Sequence, residues 1–308
     1  MTTGVLLLDG ATGTELERRG VDISLPLWSA RALITSPAVL AGIHRDYLLA
    51  GAEAITANTF RTHRRTLARE PAPGVPGIPG IPDAAELTRR AVEIARAARD
   101  AHKPGALILG SVAPLEDCYR PDLAPDADAC AREHAELIGT LVEAGVDQIL
   151  IETMNNLTEA RAAVDAARRL AGDGWMVSFC TRSTGPPGTL LSGEPIAAIL
   201  DELHDASAVG VNCVAAPALE AQVAALRARL PATTRIIAYA NIGYADQAGN
   251  WVTTDAVAPD RYAAYAANWV EAGASVIGGC CGTTPQTIRA VSRLVCRQGT
   301  PGSAASSS

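Results

Sequence analysis

The sequence has little or nothing of several features that define common protein classes. Lys103 is the only lysine among 308 residues and lies far from any predicted strand end, which argues against a lysine Schiff-base enzyme. No apolar run approaches the ~18 residues of a membrane-spanning helix. The N-terminus has no basic region followed by a signal-type apolar segment. Positive charge is not in surplus either: the net charge is −7, which argues against nucleic acid or an anionic membrane as the main partner.

The cysteine content does not fit a disulfide-rich secreted domain. The seven cysteines are odd in number and scattered along the chain. This usage is typical of a reducing compartment, where thiols serve as core residues, metal ligands or nucleophiles. We therefore expect a cytoplasmic protein with no membrane partner. The sequence indicates no particular oligomeric state.

Short apolar runs alternate with helical patterns along nearly the whole chain. Eight runs resemble buried strands, and each is followed by a helical segment, which is typical of a parallel sheet covered on both faces. The predicted strands are 5–8, 52–57, 106–111, 147–152, 175–180, 208–213, 235–240 and 274–277. Polar groups recur at the ends of the first, second, fourth, sixth, seventh and eighth strands. A closed barrel brings these ends together, whereas an open doubly wound sheet would not.

We therefore predict one α/β domain, a single (β/α)8 TIM-type barrel over residues 1–298, followed by a disordered tail over 299–308. Residues 71–82 contain five prolines and three glycines, which predict a polyproline-like surface loop. A helix is predicted from about residue 193 to His204, and a loop around Trp251.

Two adjacent cysteines, Cys280 and Cys281, occupy a glycine-rich turn between the eighth strand and its helix. Adjacent thiols rarely pair with each other, because the resulting ring is strained. In a closed barrel the end of strand six lies two positions away around the rim, so Cys213 can approach the pair. Three sulfurs with a fourth position left open describe a catalytic zinc site, because a structural site is filled by four protein ligands. A substrate thiol is a suitable occupant of that position, because zinc holds a thiol as a nucleophilic thiolate.

A single cysteine is more often a small core residue than a ligand. We interpret four cysteines in this way: Cys118, Cys130, Cys180 and Cys296. Cys180 also lies at a strand end and is a candidate spare ligand. For Cys213, Cys280 and Cys281 the ligand interpretation is preferred, because all three lie at strand ends on one face of the barrel.

Further polar residues at strand ends suggest how a substrate is held. Glu152 ends the fourth strand, and a buried carboxylate needs a partner, so we expect it to bind an α-ammonium group; the alternative is a structural pair with an arginine or a backbone N–H. Asp9 and Gly10 begin a turn whose N–H groups can receive a carboxylate, although an ordinary capped turn explains them as well. Asn58 and Thr59 can add hydrogen bonds or serve as loop caps. Thiol, ammonium and carboxylate together describe a thiol amino acid.

These residues resemble the zinc-dependent homocysteine S-methyltransferases, which include the homocysteine-binding module of methionine synthase. The resemblance covers roughly residues 5–296. Its motifs are Leu8-Asp9-Gly10-Ala11-Thr12-Gly13-Thr14, Ala57-Asn58-Thr59-Phe60, Gly110-Ser111, Ile151-Glu152-Thr153, Gly210-Val211-Asn212-Cys213 and Gly278-Gly279-Cys280-Cys281-Gly282-Thr283-Thr284-Pro285.

The resemblance implies a (β/α)8 barrel with one Zn²⁺ per chain, held by Cys213, Cys280 and Cys281. It further implies that homocysteine is bound around the turn 9–12, which includes Ala11 and Thr12, and by Glu152. The zinc-activated thiol of the substrate is expected to be the reacting nucleophile, and no protein side chain is expected to be catalytic.

The sequence after Glu152 favours a methyl sulfonium donor. Thr153 stands where the betaine-using enzyme has tyrosine, and Glu152-Thr153 with Asn155-Asn156 resembles the enzymes that use S-methylmethionine or S-adenosylmethionine. Two motifs depart from the family pattern. Ser111-Val112-Ala113-Pro114-Leu115 replaces Gly-Pro-Tyr-Gly, and Tyr239-Ala240-Asn241 replaces Tyr-Pro-Asn.

Several alternatives stay open on the sequence. The same barrel can use a betaine-like donor, a methylated cofactor or another thiol acceptor. A metal-independent lyase or aldolase would bind phosphate at the glycines of strand eight. A non-catalytic zinc-binding or redox-sensing protein would respond to oxidant through its adjacent thiols.

Overall fold

The structure, a computed structural model, describes residues 4–69, 83–245 and 251–298. Eight parallel strands form its centre, and we number them β1 to β8 in chain order. Their bounds are Leu6–Leu7, Ala54–Ala57, Leu107–Val112, Gln148–Met154, Trp175–Phe179, Ala208–Ala215, Arg235–Asn241 and Val276–Gly279. Each strand pairs with its sequence neighbours, β8 pairs with β1, and a parallel bridge between Leu8 and Ala54 joins β1 to β2. The predicted (β/α)8 barrel is thus confirmed.

Helices surround the barrel between the strands. The α-helices α1 to α10 are Gly13–Arg18, Ala32–Thr35, Pro37–Ala50, Arg64–Leu67, Ala84–His102, Ala127–Glu143, Leu157–Ala171, Ala216–Arg227, Pro259–Glu271 and Pro285–Gln298. The 3₁₀ helices are Trp28–Arg31, Pro121–Leu123, Ile196–Ala198, Leu200–Leu203 and Asp255–Val257. No helix in the described part of the chain is long and apolar enough to span a bilayer.

The strands carry apolar side chains on both faces, because each lies between the barrel interior and the helix layer. The interior is filled by its own cluster of buried side chains, and the larger cluster packs between strands and helices. The interior cluster comprises Leu8, Ala54, Leu109, Leu150, Met176, Ala208, Ile237, Tyr239 and Val276. This filled interior has no central channel among the described residues, and the cavity described below lies at the carboxyl ends of the strands.

The structure differs from the sequence prediction in two connections. The helix predicted to His204 is two short 3₁₀ helices. Arg161 binds the carbonyl oxygen of Ala198, which an α-helix would have paired with the Glu202 N–H, and that N–H donates instead to the Ile199 carbonyl at 2.9 Å. The predicted loop at Trp251 contains a hairpin of Gly243–Ala245 with Trp251–Thr253. The predicted loop 71–82, the predicted tail 299–308 and the side chain of Cys296 lie outside the described residues.

His44 in α3 is a polar side chain in the apolar core, and its burial there destabilises the fold. It is fully buried, and neither ring nitrogen has a hydrogen-bond partner among the described residues. Burial lowers its pKa from 6.5 to about 4, because the charged imidazolium would be cut off from water.

We expect His44 to make the fold acid-sensitive. The unfolded chain takes up this proton below about pH 6.5 and the folded protein only below about pH 4, so stability falls as pH drops through that window. The free energy of unfolding should decrease by about 3 kcal/mol across it from this group. Urea unfolding of His44→Leu at several pH values should show a flatter profile, with His102→Gln at an exposed helix end as the control. An unchanged profile in His44→Leu would contradict the prediction.

Candidate metal centre and substrate cavity

A cavity of about 550 Å³ opens at the carboxyl ends of the barrel strands, a size typical of small-molecule sites. Residues from the ends of β1, β2, β3, β4, β6, β7 and β8 line it. They include the six strand ends at which the sequence places polar groups, so the expected convergence is confirmed.

Three cysteine sulfurs lie together at one side of this cavity. The Sγ atoms of Cys213, Cys280 and Cys281 are all within 4.8 Å of one another. Cys213 is buried at the end of β6, while the other two are half-buried in the turn after β8. Three convergent thiols facing a cavity fit a soft divalent metal such as zinc, because they supply three of its four usual ligands and leave the fourth side accessible.

Hydrogen bonding among the three sulfurs shifts the pKa values of the cysteines in opposite directions. Cys280 and Cys281 donate hydrogen bonds to the sulfur of Cys213 and hold the pKa of Cys213 well below its usual value. The same hydrogen bonds to Cys213 raise the pKa of Cys280 and of Cys281. Three sulfurs this close together are suited to a cation, since a metal ion can replace their protons.

The backbone is unusual where the site residues lie. Cys213 has φ 58° and Thr153 has φ 63°, in the left-handed region that few non-glycine residues adopt. The pairing of β4 with β5 and of β6 with β7 shifts register at these positions. Such strained bulges re-aim side chains next to active sites, and here they occur beside Glu152 and at Cys213.

Asn212 joins the two bulges. Its Oδ1 accepts hydrogen bonds from the Thr153 N–H at 2.9 Å and from the Ser178 hydroxyl at 2.7 Å, and its Nδ2 donates to Thr153 Oγ1 at 2.8 Å. All three residues are buried. The sequence motif contains Asn212, but motif spacing does not show that its side chain bonds to both β4 and β5.

We expect Asn212→Ala to lower the free energy of unfolding by about 3 kcal/mol, because it leaves the Thr153 N–H buried without its acceptor. Ser178→Ala keeps the Asn212–Thr153 pair and should lose only about 1 kcal/mol. Urea unfolding measures both. Equal losses in the two variants would show that Asn212 does not hold the bulges together.

Asn241 connects the two cysteine segments. Its Nδ2 donates to the carbonyl oxygen of Cys213 at 3.0 Å, and its Oδ1 accepts from the Cys281 N–H at 3.0 Å. One amide therefore sets the separation between the end of β6 and the turn after β8. The turn itself depends on Gly282, which has φ 81° and lies so close to Ile242 that a Cβ would approach it to 2.4 Å.

Glu152 and Asp9 form an acidic floor to the cavity. Glu152 accepts hydrogen bonds from the Ser111 hydroxyl and, at 2.9 Å, from the Tyr239 hydroxyl. The partners are hydroxyls, not the arginine or backbone N–H of the structural alternative. Burial raises the pKa of Glu152 to about 7 despite these hydrogen bonds. The carboxyl group therefore lacks a cationic partner among the described residues.

Asp9 has a similar environment. Its carboxylate accepts hydrogen bonds from the Thr56 N–H at 2.8 Å and the Thr56 hydroxyl at 3.0 Å. Burial raises its pKa to about 7, and the charge of Glu152 adds to the effect. Two buried carboxyl groups of this kind favour a cationic group between them.

The turn after Asp9 is arranged differently from the sequence expectation. Gly10, Ala11 and Thr12 line the cavity, but the Ala11 N–H already donates to Thr283 Oγ1 at 3.1 Å. Gly10 has no room for a side chain because a Cβ would lie 2.8 Å from the Tyr47 ring and from Thr283 Oγ1. The close approach that this glycine permits is therefore to protein atoms.

Asn58 and Thr59 have separate positions. Asn58 lines the cavity, and its Nδ2 donates to the Ser29 carbonyl at 2.8 Å. Thr59 is fully buried, does not line the cavity, and donates to the Ser111 carbonyl at 2.8 Å. Thr59 is therefore placed to align β2 with β3 next to Ser111, away from a substrate.

The loop after β3 contributes residues that the sequence did not indicate. The Tyr119 hydroxyl lies 3.0 Å from Cys213 Sγ and accepts from Asn241 Nδ2 at 3.2 Å. Cys118 lines the cavity, so its interpretation as a core residue is wrong. Cys180 is buried and points at the Cys213 carbonyl, with a distance of 3.8 Å, and it lies outside the group of three sulfurs.

Aromatic side chains form part of the cavity mouth. Trp28 and Phe60 meet edge to face with ring centroids 5.4 Å apart. Trp28 has φ 47°, another left-handed residue at the site. No sequence pattern indicated this pair, because the two residues are far apart in the chain.

Comparison with known proteins agrees with this geometry. Residues 6–295 match the sequence profile of the homocysteine S-methyltransferase family. The chain is 34% identical to the homocysteine S-methyltransferase of Escherichia coli K12, over 93% of this chain and 94% of that protein. It is 32% identical to a selenocysteine Se-methyltransferase of Brassica oleracea, over 100% of this chain and 94% of the relative.

A solved structure shares the fold over nearly its whole length. The metallated form of the homocysteine methyltransferase MmuM from Escherichia coli aligns with a TM-score of 0.79 at 29% identity, covering 95% of this chain and 96% of that one. The range matched by the family profile spans the positions of the three cysteines and Glu152. The chain therefore belongs to the homocysteine S-methyltransferase family.

Proposed function

We propose that this protein transfers a methyl group from a methyl sulfonium, S-methylmethionine or S-adenosylmethionine, to the thiol of L-homocysteine, giving methionine. The observation that carries the proposal is the placement of three cysteine sulfurs and the acidic floor in one cavity. A thiol amino acid can present its sulfur to the first and its ammonium to the second.

We propose one Zn²⁺ per chain, held by Cys213, Cys280 and Cys281. The donor set fits this ion because all three ligands are sulfur and can be deprotonated together. When bound, zinc supplies a positive charge that favours a thiolate over a thiol near neutral pH. Asn241 positions the cysteines through the backbone of β6 and of the turn after β8.

The acidic floor orients the acceptor. Glu152 and Asp9 receive the ammonium group. Burial disfavours their charged forms in the free protein, and the positive charge of the ammonium offsets this effect. The Ser111 and Tyr239 hydroxyls fix the Glu152 carboxylate so that the ammonium has one position. Residues of the turn 9–12 surround the remainder of the amino acid.

The transfer is a displacement at the methyl carbon. The homocysteine sulfur, which has lost its proton, gives an electron pair to the methyl carbon, and the carbon–sulfonium bond breaks with its pair staying on the donor sulfur. The donor leaves as a neutral thioether, so no protein acid or base is needed in this step. The Trp28 and Phe60 rings suit the approaching sulfonium, because aromatic faces attract such cations.

A methionine-formation assay tests the proposal. Purified protein with measured zinc content is incubated with homocysteine and, in turn, S-methylmethionine, S-adenosylmethionine, betaine or a methylated folate. We expect methionine with one or both sulfonium donors only. Methionine formed only with betaine or only with the methylated folate would contradict the proposed sulfonium donor. A protein that holds zinc but transfers from no donor would support a non-catalytic role.

A further inference from the structure

We propose that Arg61 binds the carboxylate of the methyl donor, so that the enzyme selects sulfonium donors that carry a carboxylate group. This inference rests on the proposed function and names a residue that determines donor specificity. Arg61 follows Phe60 after the end of β2, and both residues line the cavity.

The guanidinium of Arg61 is held in place without being neutralised. Its Nη1 donates to the carbonyl oxygen of Glu116 at 2.8 Å, and its Cζ lies 5.4 Å from the centroid of the Phe60 ring. No carboxylate lies within ion-pair distance of it in the described ranges 4–69, 83–245 and 251–298. A guanidinium has five N–H donors, so most remain for a ligand.

Nearby arginines are already committed to protein carboxylates. Arg69 also lines the cavity, but both of its terminal nitrogens bind the carboxylate of Glu116, at 2.5 and 2.6 Å. Arg65 pairs with Glu133 and Glu116. Among the described cavity residues, Arg61 is therefore the cation whose charge is available to a substrate.

The position of Arg61 points to the donor rather than the acceptor. The acceptor's ammonium belongs at Glu152 and Asp9, and its carboxylate, on the same carbon atom, stays near the turn after β1. Arg61 instead contacts Glu116 in the loop after β3, and its guanidinium lies against Phe60 of the aromatic pair. A donor whose sulfonium lies at Trp28 and Phe60 can extend its amino-acid end to this guanidinium. Guanidinium and carboxylate form strong paired hydrogen bonds.

Paired donors test this inference. Initial rates are measured with S-methylmethionine and with (3-aminopropyl)dimethylsulfonium, which lacks the carboxylate, for the zinc-loaded wild type, Arg61→Met and Arg61→Lys. Arg64→Met is the matched control, because Arg64 lies outside the cavity and pairs with Glu136 on the surface.

In Arg61→Met we expect the KM for S-methylmethionine to rise about ten- to a hundredfold, with kcat little changed. The KM for the decarboxylated donor and the KM for homocysteine should stay at wild-type values. Arg61→Lys should recover part of the loss, since it retains the charge. A structural role of Arg61 would instead affect both donors equally.

The other outcomes are distinct. Equal effects on the two donors, or a raised KM for homocysteine only, would overturn the role of Arg61 while leaving the methyl transfer intact. Failure of the wild type to use either sulfonium would overturn the proposed donor class, and the assignment of Arg61 with it.

Discussion

Replacing Cys213 with alanine should remove both the metal and the activity. The zinc content is expected to fall from one ion per chain to nearly none, and the rate of methionine formation by at least about 10³-fold, because two remaining thiolates leave the ion poorly held and the substrate thiol mostly protonated. Cys280→Ala and Cys281→Ala should have the same effect, since each supplies one of three equivalent ligands. Metal analysis after dialysis and the methionine assay measure the two losses.

Cys180→Ala is the matched control for this experiment. Cys180 is a buried cysteine at the end of β5, and its sulfur points to the carbonyl of Cys213 without joining the three sulfurs. We expect this variant to retain its zinc and most of its activity. A Cys213→Ala protein that stays folded by circular dichroism and works at the wild-type rate without zinc would contradict the metal site. Zinc loss in Cys180→Ala would extend the ligand set.

Glu152→Gln should weaken the use of homocysteine by about 10²- to 10³-fold in kcat/KM, because a buried ammonium loses its charged partner. The amide has nearly the shape of the carboxylate, and the Ser111 and Tyr239 hydroxyls can reorient to meet it. The fold should therefore be retained. The loss should appear mainly in the KM for homocysteine, while the zinc content and the KM for the donor stay constant.

A thiol without the ammonium group provides the control for Glu152. Wild-type enzyme should use 4-mercaptobutanoate poorly, and Glu152→Gln should use it no worse than the wild type does. An equal loss with both acceptors would show that Glu152 acts on something other than the ammonium.

The wild-type KM for homocysteine should also rise as pH falls from about 8 to about 6. Burial raises the pKa of Glu152 to about 7 in the free protein, so below this pH the carboxyl group is protonated and no longer attracts the ammonium. The glutamine variant should show a weaker dependence, with the remainder due to Asp9 and to the proton that the homocysteine thiol loses on binding.

Most of the fold is predicted by the periodicity of hydrophobic residues in the sequence. Apolar runs of strand length alternate with amphipathic helices, and a parallel sheet is the arrangement that buries both. Because the carboxyl ends of barrel strands share one rim, Cys213 and the Cys280–Cys281 pair were predicted to meet although they are far apart in sequence, and the structure brings them together. Their residue type alone suggests a metal site.

Local conformation within the rim was not predictable in the same way. The left-handed backbone of Thr153 and Cys213 occurs at residues that normally avoid it. Asn212 holds the backbone of Thr153, and Asn241 holds the carbonyl of Cys213. The positions of Asn241 and Tyr119 beside the cysteines likewise depend on contacts between distant segments. Residue propensity and motif spacing describe residues that are close in sequence, so they do not predict contacts between distant segments.

The sequence by itself determined the barrel and the meeting of three cysteines and a glutamate at its rim, because these depend on strand order and residue chemistry. Only the tertiary structure decided which way each side chain points. Thr59 points into the sheet, and the space beside Gly10 is filled by Tyr47 and Thr283. Arg61 lies beside the cavity without an acidic partner among the described residues. These outcomes depend on distances of a few ångströms between segments that meet only when the barrel closes.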